Sequence, residues 1–425
     1  MEFEDFQACG FVGKVSPAFR SSVSEWLKDA GEGLVRSREG RQVFRLADGL
    51  IAKAYSNFRG LIGVLLPAGL IRARREFNNL LAAARKGIPV PMATGLVRSR
   101  ERAVVFMRDL QSASPLESVL SRSVVVRVGS AVREALTAGL WHPDLHAGNI
   151  LVRDESVYFI DLLTARILSR PVVGARRVWM LAALVGSIER NATLSDLARL
   201  LKSAGCTEHQ EWRSVCELLA GMRARHAASR AAHSLRGGAG CRRFSRDGWT
   251  VVARDELAPD AVEPAIRTAV SLHRGRAVKS WSTSVQLEHR GVPANRFEAV
   301  AWNRGRGALV PSPLVGAISL TRFLEEHWPR LEFRKRRDAL RHFAVFLRRA
   351  HDLGASNLEK VLIRDRPDGF WALSLDGIET VRLSVKTTPA QRKEDLERLD
   401  GRYGRLLTQT ERIRFLRRYG PTADR

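Results

Sequence analysis

Hydrophobic positions in RQVFRLADGLIAKAY (41–55) alternate on either side of Asp48-Gly49, which predicts an antiparallel hairpin. The period then changes. In RARREFNNLLAAARKG (72–87), Phe77, Leu80, Leu81 and Ala84 recur at helical spacing, and Gly87 ends the run. IPVP (88–91) is extended, RAVVFMRDL (102–110) reads as a buried strand closing in a polar turn, and a helix is predicted from about 123 to 138. HPDLHAGNILVRDESVYFID (142–161) then reads as a polar loop followed by a short hairpin. In order the first half thus reads as strands, a helix, more strands and a mostly helical remainder, an α+β arrangement.

The second half repeats the first. Gly139 answers Gly354, Asp161 answers Asp376, LAAL (181–184) answers LERL (396–399), and TLSDLARLLKSAG (193–205) answers TQTERIRFLRRYG (408–420). All four pairs are 215 residues apart, and upstream RKGIPVP (85–91) answers HRGVPA at an assigned offset of 205. We read a module duplicated in tandem. The expected division is an N-terminal extension over 1–33, a first module over 34–205, a junction over 206–248 and a second module over 249–425. Within the junction, SRAAHSLRGGAGCRRFSRDG (229–248) is rich in Ser, Gly and Arg and suits a linker or basic loop.

Composition narrows the class. The 425 residues are 45% hydrophobic, and 70 Lys and Arg against 45 Asp and Glu leave a net charge of +25. That excess favours polyanionic partners, nucleic acid or an anionic membrane surface. Nothing resembles an RNA module, zinc finger or basic zipper, so no nucleic acid is expected. The four cysteines (Cys9, Cys206, Cys216, Cys241) form no CxxC pair and fit free thiols in a reducing cytosol. The acidic start MEFEDFQACG carries no apolar signal core. The longest apolar run, GLIGVLLPAGLI (60–71), is broken by Pro67 and falls short of the ~18 to 20 residues that span a bilayer. It reads as a buried connection from strand to helix, with a shallow membrane insertion as the other reading.

The chemistry concentrates in 142–161. Phosphoryl transfer needs a carboxylate to position the acceptor hydroxyl, oxygen ligands for Mg²⁺ and a cation on the phosphates. His142-Pro-Asp144 followed by Asn149 has the spacing of a kinase catalytic loop, with His142 and Asp144 as the catalytic pair. The hairpin brings Asp161 back beside Asn149 as a second metal ligand. Lys53, at the end of an apolar strand, can reach ATP phosphates, and Glu76 on the following helix can hold it in an ion pair. One element is poor. LVRSREGRQVF (34–44) holds a single glycine, Gly40, where a glycine-rich phosphate loop is expected.

Together AKAY, RARREFNNLLAAARKGIPVP, HPDLHAGNILV, YFIDLLTARI and the terminal TERIRFLRRYG resemble the Kdo/heptose lipopolysaccharide kinases of Gram-negative bacteria. The resemblance covers about 34–205 strongly and about 250–420 weakly. It implies a protein-kinase-like two-lobed fold, ATP and Mg²⁺ as cofactors, and a sugar hydroxyl of the lipid A–core as acceptor. Asp144 is then the base, Asn149 and Asp161 the metal ligands, and Lys53 the phosphate ligand held by Glu76. It also implies a cytoplasmic protein, peripheral on the inner face of the cytoplasmic membrane, where each Lys or Arg gains roughly 1 kcal/mol near anionic lipid. DLHAGNIL also resembles the loops of aminoglycoside and choline kinases and of the atypical kinases tied to ubiquinone synthesis. Two other readings therefore remain: a kinase of this fold acting on a small molecule or protein, and a non-catalytic lipid- or nucleotide-binding scaffold.

The second module keeps the frame and loses the residues. Twelve steps separate Gly139 from Leu151 but eight separate Gly354 from Leu362, which removes the catalytic loop. At the offset of 205 Trp281 stands where Glu76 stands, TVVARDE (250–256) best matches the lysine strand and puts Arg254 opposite Lys53, and only Asp376 survives. A degenerate, pseudokinase module is expected, one that packs on the first or binds the lipid acceptor. Oligomeric state is not legible.

Overall fold

The computed structural model describes residues 2–29, 32–38, 40–56, 68–189, 191–258, 261, 264, 266, 269–313, 316–365 and 371–420. The chain divides into two compact units, Met1–Leu219 and Ala220–Arg425. Most of the apolar run 60–71 lies outside the described residues, and its last four residues open a helix.

The first unit carries a seven-stranded antiparallel sheet of order β1-β2-β6-β7-β5-β4-β3. Its strands are β1 (Glu4–Ala8), β2 (Phe11–Val15), β3 (Leu34–Arg38), β4 (Arg41–Leu46), β5 (Leu50–Ser56), β6 (Ala93–Arg98) and β7 (Arg102–Arg108). The hairpin predicted over 41–55 is β4–β5, with Leu46 paired to Leu50 around Asp48-Gly49. Strand alternation sorts β5 into two faces. Leu50, Ala52 and Ala54 join the core formed with α1 (Arg20–Lys28), where Trp26 packs edge-on against Phe44 and Phe106. Lys53 and Tyr55 point the other way, toward α2 (Ala68–Arg85). Residues 1–33, expected as an extension, thus supply two strands and the helix covering this face.

Below the sheet come β8 (Ser114–Pro115), α3 (Arg122–Thr137), β9 (Leu140–Trp141), β10 (Ile150–Arg153), β11 (Ser156–Phe159), β12 (Arg166–Ile167), α4 (Gly174–Ile188) and α5 (Leu194–Ser203). The β10–β11 hairpin pairs Ile150 with Phe159 and Arg153 with Ser156. A capping box of Thr193 and Asp196 starts α5. Gly129 of α3 lets α5 approach closely, since a Cβ there would fall 2.1 Å from Ser203 Oγ.

The segment expected as a linker is not one. α6 (His209–Ser234) runs through its first part, because that stretch is rich in Ala and Arg, which lose little on entering a helix. Its second part forms β13 (Cys241–Arg246) and β14 (Trp249–Arg254), joined at Asp247-Gly248. The second unit continues with β15 (Val270–His273), α7 (Arg274–Arg290), β16 (Phe297–Trp302), β17 (Arg306–Pro311) and β18 (Ile318–Ser319). There follow α8 (Phe333–Asp352), β19 (Ala355–Ser356), β20 (Lys360–Asp365), β21 (Trp371–Asp376), β22 (Arg382–Leu383), α9 (Pro389–Tyr403) and α10 (Gln409–Tyr419). Its large sheet has the order β13-β14-β16-β17-β15.

Strand registers correct three residue matches between the halves. Lys86 at the end of α2 donates to the carbonyls of Ala138 and Leu168, and Arg290 at the end of α7 donates to those of Leu353 and Ser384. The helices therefore correspond at an offset of 204, and Ser280, not Trp281, stands at the Glu76 position. In the first unit Lys53 pairs with Val105, and at the same offset Val270 of β15 pairs with Leu309. Val270 replaces Lys53. Arg254 instead ends a hairpin matching β1–β2: Val12 pairs with Arg98 and Thr250 with Trp302. Finally, Leu151 pairs with Tyr158 and Leu362 with Ser374, so Asp376 matches Ile160 and Gly377 matches Asp161. The backbone agrees, with φ of +59° at Asp161 and +61° at Gly377. The 215-residue register of Asp376 is a coincidence of carboxylates one residue apart, because pairing across β20–β21 fixes the position and side-chain likeness does not.

Candidate active site

Three elements of the first unit converge on one carboxylate cluster. β5 presents Lys53 and Tyr55 from one face, and α2 presents Glu76, which is fully buried. Lys53 Nζ lies 2.6 Å from Glu76 Oε1, and the Tyr55 hydroxyl donates to Glu76 Oε2. Burial, and then the nearby Glu76 carboxylate, push the Tyr55 phenol far above its ordinary value, so it stays a donor. Lys53 Nζ also lies 3.7 Å from Asp161 Oδ1. One lysine thus links a helix carboxylate to a loop carboxylate; the sequence predicts the ion pair with Glu76 and not the approach to Asp161.

Asp161 follows β11 and sits in the left-handed region, which aspartate tolerates better than most residues. Ile160 N bonds Asn149 O at 3.0 Å, which sets the backbone of Asp161 beside that of Asn149. Asn79, one turn beyond Glu76 on α2, donates to the carbonyls of Leu162 and Ala165 at 2.7 and 2.9 Å. Burial alone would raise the Asp161 carboxyl, but Lys53 and Arg41 outweigh it and hold it below the usual carboxylate range.

The residues of the 142–149 loop have different environments. Asp144 is largely exposed, with His146 Nε2 3.9 Å from its Oδ2. Asn149 Nδ2 donates to the Asp144 carbonyl at 2.9 Å, leaving its side-chain oxygen without a protein donor among the described residues. His142 is fully buried and its Nε2 lies 3.2 Å from Ile160 O, so that nitrogen carries the proton. Its Nδ1 has no partner, and burial holds the imidazole below its ordinary pKa. His142 therefore braces the loop and does not face solvent. From α4, Trp179 Nε1 donates to Pro143 O at 2.9 Å and Ser187 Oγ accepts from Ala147 N at 2.8 Å.

Sequence reasoning missed Tyr55, Asn79 and Arg41. The first two were legible in principle, as the i+2 neighbour of Lys53 on a strand and the i+3 neighbour of Glu76 on a helix. Arg41 reaches Asp161 across 120 residues, and no local pattern announces it.

An oxygen-donor set of Asn149 and Asp161 suits Mg²⁺, which keeps water and phosphate in its remaining positions. Among the described residues no group of three or more His, Cys, Asp or Glu is placed to hold a metal alone.

The RIO domain family matches residues 68–171, which hold Glu76, the catalytic loop and Asp161. Sheet order and that match place the first unit in the α+β protein-kinase-like fold class. Among solved structures, WaaP in complex with acyl carrier protein is 21% identical, covering 46% of this chain and 88% of that one at a TM-score of 0.35. Aminoglycoside-3'-phosphotransferase of type VIII is 14% identical, covering 47% and 97% at 0.34. The Rio2 kinase–ADP/Mg²⁺–phosphoaspartate complex from Chaetomium thermophilum is 15% identical, covering 53% and 81% at 0.32. No curated protein sequence matches the chain. Among the described residues no helix is long and apolar enough to cross a membrane.

Proposed function

We propose that the first unit is an ATP-dependent kinase that phosphorylates a sugar hydroxyl of an anionic glycolipid of the lipopolysaccharide inner-core class. The observation that carries the phosphotransferase reading is Lys53, held at 2.6 Å by buried Glu76 and 3.7 Å from Asp161. A structural ion pair needs no second carboxylate, and a surface lysine needs no buried one. Bound Mg²⁺-ATP supplies the electrophilic phosphoryl group, and Asn149 and Asp161 hold the metal. Lys53 sets the phosphates in place. Asp144, open to solvent, receives the hydrogen bond of the acceptor hydroxyl and takes its proton as the phosphoryl group moves. His142 holds the loop on the Ile160 carbonyl.

The acceptor rests on the resemblance of HPDLHAGNILV and GIPVP to the lipopolysaccharide kinases, and on the +25 charge, which suits a phosphorylated glycolipid. We further propose that the second unit is a degenerate copy. The matched registers support duplication, and Val270, Ser280, Lys360 and Gly377 stand at the positions of Lys53, Glu76, Asn149 and Asp161. With a cation and a glycine in place of two metal ligands, that unit holds no Mg²⁺-nucleotide.

The test is transfer of labelled phosphate from ATP to lipid A–core, aminoglycosides and casein, with wild type and Asp144→Ala. Label entering lipid A–core, lost in the variant, is the expected result. Label confined to casein or an aminoglycoside removes the glycolipid acceptor, and label in none removes the kinase reading.

A further inference from the structure

The site holds a cation that the catalytic chemistry does not use. β3 and β4 form the hairpin that covers phosphates in this fold class, yet residues 34–44 hold one glycine. Glycine-rich loops bind phosphate by letting backbone N–H groups come close. Here the chain runs straight into a ladder, with Arg38 paired to Arg41 and Ser37 to Gln42, so these residues are drawn into strand pairing. Donors for a phosphate must come from side chains.

Arg41 is placed to supply them. It is the first residue after the turn, and Ser56 N bonds Gly40 O at 3.2 Å, tying the hairpin tip to the end of β5. Its Nη1 lies 2.9 and 3.0 Å from Asp161 Oδ1 and Oδ2, with only 17% of the side chain exposed. Nε and Nη2 have no protein acceptor among the described residues, so most of the guanidinium fork is free. Asp161 is therefore shared by two cations, Arg41 and Lys53. A divalent ion on Asp161 takes at least one of those oxygens and repels the guanidinium. Phosphates held by that ion would offer the guanidinium new acceptors.

We propose that Arg41 does the work of the missing glycine-rich loop: its guanidinium, paired with Asp161, transfers to the phosphate oxygens of a bound nucleoside triphosphate when Mg²⁺ takes Asp161. This rests on the kinase reading of the same site. It makes triphosphate binding depend on one side chain of the hairpin, where a glycine-rich loop spreads it over several amides. Arg suits this better than Lys, because a planar fork meets phosphate with two donors.

Calorimetric titration of the full chain with Mg²⁺ and a non-hydrolysable ATP analogue tests it, with Arg41→Ala, Arg41→Lys and the exposed Arg36→Ala. Thermal melts confirm that each variant is folded. Arg41→Ala is expected to weaken binding by ten- to a hundredfold, Arg41→Lys by less, and Arg36→Ala by under threefold. Adenosine, which carries no phosphate, is expected to bind wild type and Arg41→Ala alike. Arg41→Ala binding the analogue as tightly as wild type, or more tightly, overturns the proposal and leaves Arg41 as a cap on Asp161. Wild type that binds no Mg²⁺-nucleotide overturns the kinase reading and this inference with it.

Discussion

Replacing Glu76 by glutamine tests the ion pair at the centre of the site. The side chains of Lys53 and Glu76 are 11% and 1% exposed, so the variant leaves an ammonium with little water around it. Removing one partner of such a pair costs about 3–5 kcal/mol, because the remaining charge is uncompensated. Asp161 at 3.7 Å offsets part of that, which places the loss near the lower end, at about 3 kcal/mol. The glutamine keeps one oxygen for either Lys53 or Tyr55 and cannot serve both as the carboxylate does. Hydrogen exchange followed by mass spectrometry on β5 and α2 reads the local opening. At 1.4 kcal/mol per decade, about 3 kcal/mol is roughly a hundredfold faster exchange. Removing both charges of the pair and the orphaned hydroxyl, as Lys53→Met with Glu76→Leu and Tyr55→Phe, leaves Asp161 paired with Arg41 and should restore protection to within about 1 kcal/mol. Acceleration below about fivefold in Glu76→Gln, roughly 1 kcal/mol, would refute the reasoning and mark the pair as solvated.

Three further outcomes are expected. Asp144→Ala abolishes phosphate transfer and Asp376→Ala leaves it intact, since Asp376 matches Ile160 and its side chain accepts from Asn295 Nδ2 at 2.6 Å; loss of turnover in Asp376→Ala alone would reverse the roles given to the two units. Burial holds His142 below its ordinary pKa, so the unfolded chain takes up the proton first as pH falls through about 6.5, and stability present above that pH declines below it. The difference in urea midpoint between pH 7.5 and 5.5 should shrink in His142→Gln, and an unchanged difference would remove His142 as its source. Gly129→Ala drives a methyl group to within 2.1 Å of Ser203 Oγ and 2.5 Å of Leu200 O, an overpacking worth about 1–3 kcal/mol; a thermal midpoint equal to wild type would show that α5 moves aside freely.

Local order in the chain determined much of the first unit. The hairpin at Asp48-Gly49, the helix carrying Glu76 and the catalytic loop all follow from periodicity and turn chemistry over short spans. The capping boxes at Thr193 and Thr408 also belong to their own first turns, and both helices start where the matched sequence places them. Alternation on β5 by itself puts Lys53 and Tyr55 on one side.

What crossed between elements did not show in the sequence. Junction residues 229–248 became the end of a helix and a hairpin, because Ser, Gly and Arg set no period and packing chose the element. The apolar strand TVVARDE (250–256) resembles the lysine strand and so puts Arg254 opposite Lys53, whereas pairing of β14 with β16 places it on the counterpart of the N-terminal hairpin. Asp376 kept an exact spacing and lost the position, since one residue of register moves a side chain to the other face of a strand. Arg41 meets Asp161 only because the sheet carries the β3–β4 hairpin over the loop. A sequence fixes what each residue can do within a turn or two of itself; which charges share a site is decided by long-range strand pairing and helix packing.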